Sequence, residues 1–337
     1  MKNKTGVLLI NLGTPDSPSV SDVRSYLGQF LNDPRVIDIP WLPRKLLVNC
    51  IIVPFRAPKS AAIYKKLWTP QGSPLLFHSI NAKMLLQKSL GDEYDVHLAM
   101  RYKNPSIPDV LEVMRKKNYQ RIVVLPMFPQ YASASTGSAL DEVMRVLRTW
   151  WVVPEVRLIS QYYDHPTFVD ALVARGRQYD IAAFDHVLFS YHGLPKRQVD
   201  KVYPDGVPCD DHDCENEITE DNKYCYKATC YATTRLLASR LNIPKEKYTV
   251  CFQSRLDKKW LEPFSDFVVE DCAKKGMKNI LVFSPAFTAD CLETIIEIGD
   301  EYQHIFKEHG GDKVQLVESL NDHPLWIKCM DELIKAN

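Results

Sequence analysis

Phe189-Ser190-Tyr191-His192-Gly193-Leu194-Pro195 decides how this chain is read: an apolar run ends there on a Gly-x-Pro turn, and Leu9-Ile10-Asn11-Leu12-Gly13-Thr14-Pro15 ends in the same way near the start. Short apolar runs closed by Gly or Pro are the mark of parallel strands buried on both faces. Eight such runs stand at 6–12, 94–102, 121–127, 156–160, 186–191, 248–254, 279–285 and 314–320. Segments of helical period fall between them, as at 107–117, 139–149, 167–179, 228–241 and 261–275.

The eight runs divide into two sets of four. Val156-Arg157-Leu158-Ile159 followed by Asp164-His165-Pro166 matches Val314-Gln315-Leu316-Val317 followed by Asp322-His323-Pro324, close to half the chain later. The expectation is an α/β fold of two similar Rossmann-like domains, each a mainly four-stranded parallel sheet flanked by helices. An active-site cleft is expected between them, because open α/β sheets bind ligands outside the carboxyl ends of their strands. The boundaries read as 1–161 and 162–324, with the last helix, 325–337, packing back on the first domain.

Composition narrows the function. The chain has 337 residues, with 42 Lys plus Arg against 42 Asp plus Glu, so no overall positive field recruits nucleic acid. At 45% apolar and 25% charged it can bury a full core. No export signal precedes the first strand, and no apolar stretch is long and unbroken enough to cross a bilayer, so a cytoplasmic protein, soluble or peripheral, is expected. Neither Gly-x-Gly-x-x-Gly nor a Walker A sequence follows any strand, which disfavours a nucleotide enzyme.

The strand ends carry the candidate chemistry. His192 sits on a sharp turn at a strand's carboxyl end, where a neutral imidazole can accept a proton or bind a metal. If the chain is helical from Asp290 onward, Glu293, Glu297, Asp300 and Glu301 stand at i, i+4, i+7 and i+8 and form one acidic stripe. Such a stripe is either a solvated face or a row of hard oxygen ligands for protons and divalent cations. Ser138 with Asp141 has the spacing of a capping box, at a helix start that could also receive a carboxylate. Arg101 ends the second strand, where it could meet an acidic ligand. Residues 37–55 are apolar and broken by proline, which suits burial or an exposed lip for a flat apolar ligand or a membrane surface.

Taken together, these residues resemble the ferrochelatase family. Asn11-Leu12-Gly13-Thr14-Pro15, Gln71-Gly72-Ser73-Pro74-Leu75, Arg101-Tyr102, Pro129-Gln130-Tyr131, Thr136-Gly137-Ser138, Ser190-Tyr191-His192-Gly193-Leu194-Pro195, Gln253-Ser254-Arg255, Trp260-Leu261 and Ala289-Asp290-Cys291-Leu292-Glu293-Thr294 stand in the family's order over nearly the whole chain. The resemblance implies insertion of ferrous iron, the substrate metal, into protoporphyrin IX to make protohaem. It implies His192, Glu293 and Glu297 as catalytic groups, with His192 and Glu293 meeting the substrate iron. Leu12, Tyr64, Arg101, Tyr131, Ser138 and Trp260 would bind the porphyrin, with 37–55 as its lip and a possible peripheral membrane contact. Leu12, rather than tyrosine, before Gly13 favours protoporphyrin IX over coproporphyrin III. A non-catalytic tetrapyrrole-binding or iron-responsive protein on the same fold is the alternative class, and retention of both His192 and the carboxylates favours the enzyme.

An insert at 207–230 departs from the common pattern. Cys209, Cys214, Cys225 and Cys230 form Cys-x4-Cys-x10-Cys-x4-Cys and hold four of the nine cysteines. In a reducing compartment such clustering points to metal, and four thiolates suit a [2Fe-2S] cluster or structural zinc. Some bacterial ferrochelatases resemble this arrangement with an internal [2Fe-2S] cluster, which puts the cluster first. The animal type of cluster, placed partly at the C terminus, is not expected, because only Cys329 stands there and Ser133 replaces a cysteine.

Overall fold

β1 (Thr5–Gly13) is buried along nearly its whole length, with Val7, Leu8, Leu9 and Ile10 fully covered. Side chains of that size each stabilise the fold by about 1.5–3 kcal/mol when removed from water. In this computed structural model, which describes residues 4–336, β1 pairs in parallel with β2 (Tyr94–Tyr102) on one side and β3 (Arg121–Pro126) on the other. β4 (Glu155–Leu158) then adds beside β3, giving the order β2-β1-β3-β4. The second sheet repeats this order as β6-β5-β7-β8, from β5 (His186–His192), β6 (Tyr248–Gln253), β7 (Asn279–Phe283) and β8 (Lys313–Leu316). All eight expected strands are present, and the two Gly-x-Pro endings fall on equivalent strands, β1 and β5.

The chain divides into two units. The first runs to Phe128, resumes over Ser133–Gln161, and takes in the chain from Ile327 onward. The second comprises Pro129–Ala132 and Tyr162–Trp326. The short excursion at 129–132 departs from the expected boundary because the Tyr162 N–H bonds the Pro129 carbonyl at 2.9 Å and the Gln130 amide donates to Thr233 Oγ1 at 3.0 Å. In the first unit, the Arg157 guanidinium bonds the carbonyls of Leu333, at 2.9 Å, and Ala336, satisfying acceptors left open at the end of the helix Pro324–Lys335. Both Asp-His-Pro sites put proline at the first turn of a helix, Pro166–Gly176 and Pro324–Lys335, where its missing N–H costs nothing.

Each sheet packs its own core. Leu8, Ile10, Leu111, Val124 and Val143 meet on one face of the first, and Leu188, Val269, Ile280, Val282 and Phe306 on one face of the second. In both orders the connection reverses beside the first strand, between β1 and β3 and between β5 and β7, which opens a crevice at the carboxyl ends of those strands.

Four local expectations are corrected. The helix expected from 261 starts at Ser265, because Leu261 N–H bonds Leu194 O at 2.9 Å and Pro263 O accepts from Phe252 N–H. Ser138 forms no capping box, since a π turn over Ser133–Gly137 runs straight into the helix Ser138–Leu147 and leaves its hydroxyl free for other partners. Residues 41–67 are not broken by proline. Helix Trp41–Leu46, π segment Leu47–Ile52 and helix Val53–Leu67 follow without interruption. The wider π turn precedes Pro54, which supplies no N–H, and so absorbs a proline that would clash in a regular turn. The acidic segment is likewise a π-helix, Glu293–Tyr302, leading into Gln303–Glu308. Its longer period splits the expected stripe: Glu293 and Glu297 are half-buried, whereas Asp300 and Glu301 are exposed.

Candidate functional site

In the second unit, His192 ends β5 at the crevice between β5 and β7. Its Nδ1 lies 2.7 Å from the Gly193 carbonyl oxygen. A carbonyl can only accept, so in the neutral ring Nδ1 carries the hydrogen and Nε2 presents the lone pair. The Trp260 and Phe287 rings flank the imidazole at 6.4 and 6.5 Å between centroids. The buried Tyr226 hydrogen-bonds the His192 backbone. Gly193 is required here by close approach, because a Cβ would lie 2.8 Å from the Gln253 carbonyl and 3.3 Å from Trp260. Pro195 pairs with Trp260 in a one-rung antiparallel bridge that pins the turn to the loop after β6.

Glu293 and Glu297 lie on the π segment that follows β7, and they differ in their partners. The Glu297 carboxylate accepts from Gln253 Nε2 at 3.1 Å, Ser254 N–H at 2.8 Å, the Ser254 hydroxyl and the Tyr302 hydroxyl at 3.2 Å. Such a saturated carboxylate is an anchor. The Glu293 carboxylate bonds the Cys291 thiol, whose pKa is pushed well up by burial and by that acid. The segment start is fixed by Asp290, which accepts from Asn321 Nδ2 at 2.7 Å and Ser319 N–H at 3.2 Å.

The first unit has a polar centre that sequence reading missed. Buried Asp33 accepts from Arg101 Nη2 at 2.7 Å, the Tyr102 hydroxyl at 2.9 Å and the Ser138 hydroxyl at 2.5 Å. Arg101 Nε also bonds Ser138 Oγ at 2.6 Å. Burial, then the neighbouring Asp33 charge, push the Tyr102 phenol well above its usual range. Of the expected porphyrin residues, Ser138 is wholly covered, Tyr64 is buried edge-on to Tyr26, and Leu12 is half-buried at the end of β1. Gly13 beside it holds φ at 111°, and a Cβ there would lie 2.0 Å from the Tyr102 carbonyl. In the second unit, Tyr131 meets Tyr224 edge-on at 6.0 Å, and Trp260 is half-buried beside His192. No signal in the sequence marked Asp33 as the centre of this group.

The insert gathers three thiols, not four. Sγ atoms of Cys209, Cys214 and Cys225 are 3.4–3.8 Å apart, all buried and none in a disulfide. The Tyr203 hydroxyl lies 2.8 Å from Cys214 Sγ, and its ring stacks on His212. Hydrogen bonds with Cys209 and Cys214 hold the Cys225 thiol well below its usual pKa, while bonds with Cys214 and Cys225 raise that of Cys209. Cys230 stands apart. It lies within the helix Tyr226–Arg240, wholly buried, and has Tyr226 as its hydrogen-bonding neighbour. Of the four cysteines expected as ligands, the structure brings Cys209, Cys214 and Cys225 together. The donors fit a thiolate-bound metal, since they are soft, buried and uncrosslinked, but a [2Fe-2S] cluster takes four thiolates.

The apolar helix of the first unit buries Val48, Val53, Ala57, Ala61 and Leu67 and leaves Trp41, Leu42, Leu46, Ile51 and Phe55 exposed. Against the expectation that no stretch would be long enough, Trp41–Leu67 is long and apolar enough to cross a membrane by length and composition.

Comparison with known proteins bears on these sites. The ferrochelatase family model matches residues 4–337. A ferrochelatase of Legionella pneumophila (strain Paris) is 43% identical over 335 residues, 98% of each chain. A ferrochelatase of Coxiella burnetii (strain Dugway 5J108-111) is 42% identical over 338 residues, 99% of this chain and 94% of the relative. Among solved structures, SirB from Bacillus subtilis with Fe3+ shares the fold at a TM-score of 0.53 and 13% identity, covering 98% of this chain and 94% of its own.

Proposed function

The chain belongs to the ferrochelatase family, an enzyme of haem biosynthesis that inserts ferrous iron into a porphyrin, and from that premise we propose that His192 and Glu293 carry the chemistry. Metallation must take two protons from the pyrrole nitrogens and strip water from Fe2+. The observation that carries the reading is the His192 Nδ1 bond to the Gly193 carbonyl, which leaves Nε2 to accept a pyrrole proton. Glu293 supplies a half-buried carboxylate oxygen, a hard ligand suited to Fe2+ and to the second proton. Glu297 holds the strand end on which this pair depends, and Trp260 forms a rigid wall beside the imidazole.

For the first unit, Leu12 is proposed as a porphyrin contact, with Arg101, Ser138 and Tyr64 behind it as support. Tyr131 is proposed as a further porphyrin contact of the second unit. The apolar Leu12 side chain supports protoporphyrin IX over the more carboxylated coproporphyrin III. Trp41–Leu67 is proposed to lie on the membrane surface, placing the enzyme as a peripheral cytoplasmic protein. The absence of a disulfide among the nine cysteines supports a reducing compartment.

The cysteine triad is proposed to hold a metal through Cys209, Cys214 and Cys225. With bonds of 2.3 Å, the edge of a tetrahedron is about 3.8 Å, close to the Sγ separations of 3.4–3.8 Å, which favours a single ion such as zinc over a [2Fe-2S] cluster. Either would tie the insert together.

The function is tested by incubating the purified protein anaerobically with Fe2+ and each porphyrin. Protohaem is expected to form faster than the coproporphyrin product. Metallation of neither porphyrin would overturn the catalytic reading, and preference for coproporphyrin III would overturn the substrate assignment alone.

A further inference from the structure

Gln253 is the last residue of β6 and only 1% exposed, yet it hydrogen-bonds the backbone beside His192 and the π segment that carries Glu293 and Glu297. Its backbone carbonyl accepts from Gly193 N–H at 2.7 Å, beside His192, its strand partner. Its side-chain Oε1 accepts from the Ser190 hydroxyl at 2.8 Å on β5. Its Nε2 donates both hydrogens to the π segment, one to the Glu293 carbonyl at 2.9 Å and one to the Glu297 carboxylate at 3.1 Å. Both donor hydrogens and one acceptor site of the amide are thus used in a three-way joint. A primary amide alone fits this joint, since one end must accept and the other must donate twice.

We propose that Gln253 is a positioning residue that sets the separation of His192 from Glu293, and through it the rate of metal insertion. This rests on the reading of those two residues as the reacting groups. A joint with no partner in the reaction acts on turnover and leaves porphyrin affinity untouched, because it fixes the frame on which the reacting groups stand rather than the porphyrin itself. A group misplaced by 1 Å can lose about 10²-fold in rate.

The test uses Gln253→Met, which keeps the length and removes every side-chain hydrogen bond, and Gln253→Glu, whose carboxyl donates only when protonated. Three quantities are measured on the full-length protein: porphyrin affinity by fluorescence, kcat for Fe2+ insertion, and thermal unfolding. For Gln253→Met, porphyrin affinity within about twofold of wild type and a kcat lower by about 10²-fold are expected. Gln253→Glu is expected to recover part of the loss relative to Gln253→Met as pH falls and one donated bond returns, a response that a purely structural role would not give. Should Gln253→Met fail to fold, Ser190→Ala, which removes the bond orienting the amide, carries the same expectation of reduced kcat at unchanged affinity. Wild-type kcat in a folded Gln253→Met protein overturns the proposal. His192→Ala and Glu293→Gln are assayed alongside: if they too keep wild-type kcat, the reading of the reacting groups has failed, and if only Gln253→Met keeps it, the positioning role alone has failed.

Discussion

The Glu297 carboxylate takes both the backbone N–H and the hydroxyl of Ser254, the residue that leaves β6 at a φ of 62°. A left-handed conformation costs a side-chain-bearing residue about 1–2 kcal/mol, so the carboxylate offsets a strain that lies at the edge of the site.

Glu293 and Glu297 should therefore respond differently to the same change. Glu297→Gln places an amide where only acceptors fit and is expected to lower stability by about 1–3 kcal/mol, read as a drop in Tm, with activity falling alongside. Glu293→Gln is expected to keep the wild-type Tm and lose about 10²–10⁴ in turnover. Equal melting temperatures for both variants would remove the anchor role from Glu297.

The cysteine segment gives a sharper contrast. Replacing Cys209, Cys214 or Cys225 with Ser is expected to release the bound metal and destabilise the insert, whereas Cys230→Ser should retain it, because Cys230 sits apart from the triad. Metal and acid-labile sulfide measured on anaerobically purified protein check both points. One zinc without sulfide supports the single-ion reading. Iron with sulfide, lost in Cys230→Ser, would show that the fourth thiol moves in to complete a cluster.

Much of this architecture was legible because buried parallel strands leave a simple signature. The apolar run at 94–102 and the helical segment at 107–117 match their strand and helix to the residue, since glycine, proline and serine punctuate them. What was not legible depends on distance through space. Asp33 lies in an ordinary Asn-Asp-Pro sequence, and only the fold brings Arg101, Tyr102 and Ser138 to it. Ser138 had the spacing of a capping box, but a π turn carried the helix past it. The same change of period split the acidic stripe, because a reading at 3.6 residues per turn cannot register a π-helix. Cys230 has the spacing of a ligand, but it lies inside the helix Tyr226–Arg240, whereas Cys225 caps that helix beside the other two thiols.

Exposed Phe55 is flanked by exposed Arg56 and Lys59 on the apolar helix, a pairing suited to an anionic lipid surface. The wild-type protein is expected to float with vesicles containing anionic lipid, and the double change Trp41→Glu and Phe55→Glu should abolish this while metallation of detergent-dispersed porphyrin persists. Flotation of the double variant at the wild-type level would return this helix to a purely intramolecular role.

His186 lies at the start of β5, bonded to Thr249, and its pKa is lowered from 6.5 by burial, then by Lys247 and Lys275. A histidine whose folded pKa is depressed contributes stability that is present above the unfolded pKa and lost as pH falls below it, because the unfolded chain takes up the proton first. Tm of the wild type is expected to fall between about pH 7 and pH 5, and His186→Gln should flatten that slope. An unchanged slope would show that His186 is not the group responsible.

His192 carries the most weight. Its ring is only half-buried, held by one bond to its own neighbouring carbonyl and flanked by Trp260 and Phe287, while the turn itself is fixed by backbone bonds from Gly193 to Gln253 and from Leu261 to Leu194. Those bonds do not involve the imidazole. His192→Ala should therefore leave the turn and the Tm near wild type while removing the Nε2 acceptor, and metal insertion should fall by at least about 10²-fold. If the ring served only packing, the opposite pattern would hold, with a lower Tm and activity preserved at low temperature. Porphyrin metallation and thermal unfolding measured on this one variant separate the two, because the groups that shape the turn and the group that takes the proton belong to different atoms of the same short sequence.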